Sequence, residues 1–560
     1  MKKLISMLLA LAMTLSLAAC VAKGEIPGQG GTQTSSDGKR IGEDGRQVVT
    51  IGIQVRANIE DMDNNDLTLW LEEQTGYDLQ FVNFSLNSSE WRSQVNTMIA
   101  SGEELPDFMY AFGWNEDERY TFGSDGYLKD MKPYILGDEC AEWRARVAEV
   151  FGEDYLEENL KYIESPDGAI YTFPYMSFSH SSGNPFTGYI NKQWLDNLGL
   201  EMPTNWDELV NVLRAFKTQD PNGNGVQDEI PAVGLVPPSN TTTGSRNNDM
   251  PNWLLNNFLY LDDTRIFNSE NGKIIFPYVT DEYREGLIAL HDLVEEGLVS
   301  TLCWTMSTEA NELNSMWGPA DNVSKLGFVT ASMSTRFPAG SPCMYEYQPI
   351  IPFNNQPLDA SIPATTFFIT ENCNDVNAVL DIITLLASEE GAMRLTWGVE
   401  GRDWVWEEDD STAGKGVRVL QSFGGKSHSV HWGGAYGRVL YTDPDINPYH
   451  AIRDPANEWQ NAKADRENEF ARLYRAAGEQ SAPAEVVYKL PYSPEEMESI
   501  GNTKTDILIY MKESRAKFAT GELDPRSDKD WNQYLSVLND MGLENYVAQS
   551  QAAWDRFNGK

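Results

Sequence analysis

Residues 189–231 read YINKQWLDNLGLEMPTNWDELVNVLRAFKTQDPNGNGVQDEIP and contain two helix patterns followed by one loop. Oxygen-bearing groups recur at alternate positions of the loop: Asp220, Asn222, Asn224, the Val226 carbonyl and Asp228, with Glu229 next in the chain. A hard cation such as Ca²⁺ takes six to eight oxygen ligands at ~2.3–2.6 Å, and a short loop supplies them when alternate side chains converge. The spacing therefore predicts a cation site at residues 220–229.

The first half of the loop, from Asp220 to Gly225, follows the EF-hand pattern, in which a glycine permits the sharp turn. The second half differs, because the twelfth position is Pro231 rather than a bidentate glutamate. Asp228 and Glu229 would therefore supply the closing carboxylates. A surface turn is the alternative interpretation, since Asn, Gly and Asp also favour turns. Carboxylates at both ends of the alternating set favour the metal.

The stretch resembles the calcium-containing extracellular solute-binding proteins (family 1 type) of ABC importers, a group that includes alginate-oligosaccharide-binding proteins and gut-bacterial lipoproteins. Besides residues 189–231, the resemblance rests on SGEELPDFMYA at 101–111 and SEEGAMRLTWGVEGRDW at 388–404. It implies that the six loop positions bind a structural Ca²⁺. It also implies a two-lobed α/β fold, of the periplasmic-binding-protein type II class, with a hinge between the lobes.

Charge excludes some classes of partner. The 560 residues carry 84 acidic and 43 basic side chains, which gives a formal net charge of -41. So acidic a surface repels phosphate backbones and anionic lipids, and this argues against nucleic acid and against direct adsorption to a membrane. The hydrophobic fraction of 41% is ordinary for a soluble globular protein.

The N-terminus predicts an exported lipoprotein. Two lysines precede an apolar run that ends in Leu-Ala-Ala-Cys20. This is typical of a signal peptide at 1–20, and LAAC resembles a lipobox, in which the cysteine is lipidated and becomes the mature N-terminus. An ordinary cleavage site with a chance cysteine is the alternative. Residues 21–46 have no apolar period and predict a flexible linker, so the chain would reach the outer face of the cell membrane through its lipid anchor only.

Strand and helix patterns alternate from Gln47 to Ala111, which predicts a parallel sheet covered by helices. In such a sheet the ligand crevice lies beyond the carboxyl ends of the strands. Arg56 follows the first strand and Asn115 follows the third, so both are candidate ligand-binding residues.

Strand patterns after residue 325 resemble the later crossings of the family between its lobes. We therefore predict a first lobe of residues 47–185 and 325–365, and a second lobe of residues 186–324 and 366–560 that contains the calcium loop.

The sequence shows neither a G-x-S-x-G elbow nor an H-E-x-x-H zinc motif, and no catalytic residue is assigned. A glycosidase needs only two carboxylates ~5–9.5 Å apart, so the 84 acidic residues leave that alternative open. The 16 Trp and 24 Tyr suit sugar binding, because flat rings stack on the apolar faces of pyranoses. Some tryptophans fall on apolar helix faces and are assigned to the core: Trp70, Trp91, Trp194 and Trp206. Others fall in turn-rich segments and either pack in the core or bind ligand: Trp114, Trp253, Trp317 and Trp432.

The resemblance and the aromatic content together lead us to expect a monomeric, lipid-anchored protein. It would capture an oligosaccharide by hinge closure and deliver it to the permease subunits of an ABC transporter. A secreted glycoside hydrolase and a surface lectin or adhesin are the alternatives. A hydrolase would cleave the sugar, and a lectin would bind it without lobe closure.

Overall fold

The structure is a computed structural model of the chain. It describes residues 33–559 except for 37, 56–58, 60, 176–185, 187, 235, 237–248, 264, 307–310, 318–321, 331–341, 354–363, 410–413, 421–468, 471–472 and 474–484.

The strands of the described residues are numbered in chain order: β1 (Gln33–Thr34), β2 (Arg40–Ile41), β3 (Val48–Gln54), β4 (Asp78–Phe84), β5 (Phe108–Tyr110), β6 (Phe173–Tyr175), β7 (Gly188–Asn191), β8 (Ile230–Gly234), β9 (Asn268–Glu270), β10 (Lys273–Ile275), β11 (Leu326–Thr330), β12 (Tyr347–Ile350), β13 (Ala364–Ile369), β14 (Trp404–Asp409), β15 (Gly414–Val419) and β16 (Glu485–Val486). The α-helices span Asp66–Thr75, Ser88–Ser101, Glu116–Ser124, Lys132–Leu136, Ala141–Phe151, Tyr155–Asn159, Lys192–Leu198, Trp206–Thr218, Met250–Leu255, Asp281–Glu295, Asn311–Trp317, Val376–Ala387, Glu389–Trp397, Pro494–Ile500, Thr503–Thr520, Asp528–Asp540 and Leu543–Phe557. Short 3₁₀ helices lie at Asp138–Cys140, Leu160–Tyr162, Pro277–Val279, Thr301–Trp304 and Pro342–Glu346.

The first lobe is built on a sheet in the order β4-β3-β5-β13-β6. β3 pairs in parallel with β4 and β5, whereas β13 pairs antiparallel with β5 and β6. β3 reads VVTIGIQ and is buried along nearly its whole length, as expected of a strand covered on both faces. Ile51 and Phe108 lie at the centre of this core, together with Trp143 of a covering helix.

The second lobe is built on a sheet in the order β12-β7-β11-β8. β8 runs parallel to β11, and β7 runs antiparallel to β11 and β12. The helix Trp206–Thr218 covers this sheet with a face that includes Leu209, Leu213 and Phe216. Its N-cap is Asn205, whose side chain accepts the Glu208 N–H at 3.0 Å.

These pairings correct the predicted lobe boundaries after residue 325. β11 and β12 lie in the second sheet, so these two strands belong to the second lobe and not to the first. β13 lies in the first sheet, and the helix Val376–Ala387 packs into the core of the first lobe. The chain therefore passes from the first lobe to the second after β6 and returns before β13. The prediction was wrong because a strand pattern does not show which sheet the strand joins.

The C-terminal helices extend the second lobe. They pack with the sheet β10-β9-β16 around an aromatic core that includes Tyr283, Trp531 and Tyr546. The helix Asp281–Glu295 contributes to this core at one end and, through Leu290, to the core of the second sheet at its other end.

The predicted flexible linker, residues 21–46, is wrong for its second part. β1 and β2 form an antiparallel pair, and Arg40 forms an ion pair with the buried Asp107 of the first lobe. Lys39 Nζ lies 2.8 Å from the carboxylate of Asp375. Basic residues that meet buried or half-buried acids hold this segment against the lobe.

The predicted signal peptide and Cys20 lie outside the described residues, and both stay predictions. Among the described helices, none combines the length and the apolar character that a membrane span requires.

Candidate calcium loop and ligand cleft

Residues 220–229 connect the helix Trp206–Thr218 to β8 in the second lobe. The end of the loop is fixed to the residue that precedes β11, because the Ile230 N–H donates to the Lys325 carbonyl at 2.8 Å. The loop also turns back to the helix, since the Gln227 side chain donates to the Lys217 carbonyl at 3.0 Å. Regular structure thus holds the loop at both ends.

Backbone N–H groups within the loop bind the side-chain oxygens of earlier residues. The Gly225 N–H donates to Asp220 Oδ2 at 3.0 Å, and the Asn224 N–H donates to Asn222 Oδ1 at 3.0 Å. The Val226 N–H donates to Asn224 Oδ1 at 2.7 Å. Asp220 has φ 46° and Gly225 has φ 76°, in the left-handed region that such a tight turn requires. The loop is therefore wrapped around its own side-chain oxygens.

Glu229 occupies the closing position of the loop. Both of its carboxylate oxygens are buried, and neither has a hydrogen-bond partner in the part of the chain that the structure describes. Burial raises the pKa of Glu229, and the carboxylates of Asp220 and Asp228 raise it further. A buried carboxylate beside two other carboxylates is unfavourable without a positive charge. A divalent cation bound among these oxygens would supply that charge.

The Asp228 carboxylate is bound by two other side chains. Its Oδ1 accepts a hydrogen bond from Asn224 Nδ2 at 3.0 Å, and its Oδ2 lies 2.8 Å from Lys325 Nζ. These hydrogen bonds, with that of Lys325 the largest cause, lower the pKa of Asp228. Across the described residues, no three His, Cys, Asp or Glu side chains converge as a metal site. The loop therefore fits calcium by its all-oxygen donor set and by the orphaned Glu229, while Asp228 is held away by its partners.

The candidate ligand-binding residues Arg56 and Asn115 follow β3 and β5 in the chain, and in parallel sheets the carboxyl ends of the strands are where ligands bind. Asn115 is exposed there and caps the helix Glu116–Ser124: its side chain accepts the Glu118 N–H at 2.8 Å, and the Glu118 carboxylate accepts the Asn115 N–H at 2.8 Å. Asn115 therefore has a structural role at this edge, and its contact with a ligand stays a prediction. Arg56 and Trp432 lie outside the described residues.

The other three candidate tryptophans are buried in hydrophobic cores. Trp114 is 3% exposed, and Trp253 and Trp317 are 0% exposed. The ring of Trp253 lies edge-on to Phe328, with centroids 4.6 Å apart, and the ring of Trp317 lies edge-on to Tyr347 at 5.4 Å. The assignment of these rings as stacking surfaces for a ligand is corrected accordingly. Turn-rich sequence around a tryptophan does not show whether its ring faces solvent or the core.

The second lobe contains a buried polar network that the sequence patterns do not predict. Arg515 Nη2 lies 2.6 Å from Asp263 Oδ2 and 4.0 Å from Asp249 Oδ2. The Tyr278 hydroxyl donates to Asp263 Oδ1 at 3.0 Å. Asp263 and Arg515 are 252 positions apart in the chain, so no local pattern could have joined them. The network ties the C-terminal helix Thr503–Thr520 to the rest of the lobe.

Comparison with known proteins gives a family match and two curated relatives. Residues 55–247 match the family described as bacterial extracellular solute-binding protein. The fructooligosaccharide ABC transporter substrate-binding protein FusA of Streptococcus pneumoniae serotype 4 is 24% identical over 520 residues, which cover 87% of this chain and 86% of FusA. Lipoprotein LipO of Bacillus subtilis (strain 168) is 36% identical over 111 residues, which cover 20% of each protein.

Solved structures share the fold. An extracellular solute-binding protein from Bifidobacterium longum subsp. infantis has a TM-score of 0.69 at 23% identity, and the match covers 92% of this chain and 99% of that one. An EF-hand mutant of S. pneumoniae FusA in complex with fructo-nystose has a TM-score of 0.62 at 20% identity, with 91% of this chain and 99% of that one covered. The two-lobed α/β fold is thereby confirmed. Residues 55–247 therefore match the family of bacterial extracellular solute-binding proteins, and the chain shares the fold of such proteins.

Proposed function

We propose that the chain captures an oligosaccharide between its lobes and delivers it intact to the permease of an ABC transporter. The observation that carries the proposal is the layout of the two sheets, between which the chain passes after β6 and again before β13. A ligand that bridges two such lobes stabilises the closed state by its higher affinity for that state. The proposed mechanism requires no covalent chemistry, and we propose no enzymatic activity.

The sugar class is supported by the relatives. FusA is named for fructooligosaccharide, and its EF-hand mutant is solved with fructo-nystose. With Trp114, Trp253 and Trp317 packed in cores, the rings that stack on a sugar must come from other positions. Trp432 remains a candidate for stacking, and Arg56 and Asn115 remain candidates for hydrogen bonds to sugar hydroxyls.

We also propose that the loop binds one structural Ca²⁺. The ligands would be Asp220, Asn222, Asn224, the Val226 carbonyl, Asp228 and Glu229. The orphaned carboxylate of Glu229 supports this, as does the existence of a FusA variant described as an EF-hand mutant. The ion would supply the positive charge that the loop carboxylates need. Its work is structural, because it would fasten the end of the helix Trp206–Thr218 to β8.

The proposed location is the outer face of the cell membrane. Cys20 would carry the lipid after removal of residues 1–20, and the kinship of a short segment with Lipoprotein LipO supports a lipoprotein. Acting as a monomer, the protein would meet the permease subunits while remaining tethered.

A thermal-shift panel of oligosaccharides and peptides, run with calcium present, tests the substrate class. A ligand stabilises the folded state by RT ln(1 + [L]/Kd), so a micromolar ligand at high concentration gives a clear shift. We expect a shift with oligosaccharides. A shift with peptides alone would contradict the substrate class. Recovery of shortened sugar after incubation would favour the glycoside hydrolase instead.

A further inference from the structure

Lys325 lies beside the loop, immediately before β11. Its Nζ is 2.8 Å from Asp228 Oδ2, and its carbonyl accepts the Ile230 N–H at 2.8 Å. The preceding residue, Ser324, offers its carbonyl to Asn222 Nδ2 at 3.5 Å. The segment before β11 therefore contacts both the middle and the end of the loop, and it places one fixed positive charge against a closing carboxylate.

The charges of the loop are unequally compensated. Asp220, Asp228 and Glu229 carry three carboxylates within ten residues of chain. Asp228 has Lys325 as a cationic partner, whereas the oxygens of Glu229 are buried without a hydrogen-bond partner among the described residues. Both side chains of the Asp228–Lys325 pair are partly shielded from solvent, with exposures of 27% and 38%. Attraction between them is therefore stronger than between fully solvated charges.

We propose that Lys325 is an internal counter-ion of the calcium loop: it competes with Ca²⁺ for Asp228, lowers the affinity of the loop for the metal, and holds the loop closed when the metal is absent. The proposal rests on the calcium assignment made above. The reason is charge. An ammonium within 3 Å of a ligand carboxylate repels an incoming divalent cation. When that carboxylate turns inward to bind the metal, the ammonium also loses its ion pair. Lys325 thus sets the calcium concentration at which the loop fills.

The test compares calcium affinity in the wild type, Lys325→Met and Lys325→Arg, by competition with a fluorescent calcium chelator. We expect Lys325→Met to bind Ca²⁺ about tenfold more tightly, and Lys325→Arg, which keeps the charge, to bind as the wild type does. Lys273→Met removes an exposed lysine on β10 and is the matched control for net charge; its affinity should be unchanged. In EDTA, Lys325→Met should also melt at a lower temperature than the wild type.

Equal or weaker calcium binding by Lys325→Met, in a protein whose wild type binds Ca²⁺, would overturn the counter-ion role and leave the calcium assignment standing. Loss of all calcium binding in the wild type itself would overturn both. Should Lys325→Met fail to fold, the same comparison is made with Lys325→Gln. Tighter binding by Lys273→Met as well would show an effect of net charge alone, and would also overturn the proposal.

Discussion

Lys489 of the second lobe lies 3.3 Å from Glu116 of the first lobe, measured from Nζ to Oε1. The ammonium of Lys489 also donates to the carbonyls of Lys161 and Glu164, which belong to the first lobe. Its side chain is 4% exposed. Burial lowers the pKa of Lys489, and the carboxylate of Glu116 opposes this shift. A shielded cation between carbonyl and carboxylate acceptors holds the lobes in the orientation of this structure.

Lys489→Met should loosen that contact. The variant keeps an unbranched side chain but leaves Glu116 and two carbonyls without their cation, so ligand-free molecules with separated lobes become more populated. Small-angle scattering should show a larger radius of gyration than in the wild type. Lys504→Met, at an exposed position within the second lobe, is the control and should leave the radius unchanged. The same radius in Lys489→Met and the wild type would mean that this contact does not restrain the lobes.

Chelation of calcium should lower the melting temperature and leave oligosaccharide affinity largely intact while the protein is folded. The loop precedes β8 and therefore lies at the amino end of that strand, whereas ligands bind beyond the carboxyl ends. Asp220→Ala should melt at the same temperature with and without calcium. Complete loss of sugar binding by a folded, calcium-free protein would contradict the structural role of the ion.

Stability should depend on pH through the buried pair Asp249 and Asp263. Arg515 lies closer to Asp263 than to Asp249, at 2.6 Å against 4.0 Å. At Asp249 the effect of burial outweighs the attraction of Arg515 and raises the pKa of this carboxyl to about 6. The folded-state pKa lies above the unfolded value of about 3.9. Between these two pKa values the Asp249 carboxyl is therefore protonated in the folded state and ionised in the unfolded state. The contribution of Asp249 to the free energy of unfolding is fully present below about pH 4 and is lost as the pH rises through about 6.

Asp249→Asn imitates the protonated form and keeps a side chain that can cap the helix Met250–Leu255. We expect the variant to exceed the wild type in stability at neutral pH by on the order of 1–3 kcal/mol, and to lose less stability between about pH 4 and about pH 6. Urea unfolding at several pH values measures both. Parallel pH profiles for the two proteins would refute the role given to Asp249.

Trp253→Ala should destabilise the fold by about 3–5 kcal/mol, because a fully buried indole leaves a large cavity when it is truncated. Trp253→Phe should be milder, since a ring still packs against Phe328. Sugar affinity of both variants, measured where they are folded, should match that of the wild type. A stable Trp253→Ala protein that no longer binds sugar would restore Trp253 to the ligand site.

The calcium loop remains a proposal, but its candidate ligands can be listed from the sequence because all of them lie between Asp220 and Glu229. Their alternate spacing is visible in the chain itself, and the hydrogen bonds from backbone N–H groups of the loop to its side-chain oxygens span five residues or fewer, as from Gly225 to Asp220. The alternation that predicted β3, β4 and the helix between them is equally local. Such features need no knowledge of distant partners.

The lobe boundaries could not be predicted in the same way. LGFVT of β11 and ATTFFI of β13 are both short apolar strands, yet Phe328 pairs with Ile190 in the second sheet and Phe368 pairs with Met109 in the first. Which sheet a strand joins depends on packing between segments far apart in the chain. The burial of Trp253 and the partnership of Lys489 with Glu116 depend on tertiary contacts of the same kind.

Closure of the lobes on an intact oligosaccharide can be measured by small-angle scattering of the protein with and without a saturating oligosaccharide from the thermal-shift panel. We expect the radius of gyration to fall when the sugar is added, and the sugar to be recovered unshortened. Saturation with sugar at an unchanged radius of gyration would contradict closure and favour a lectin.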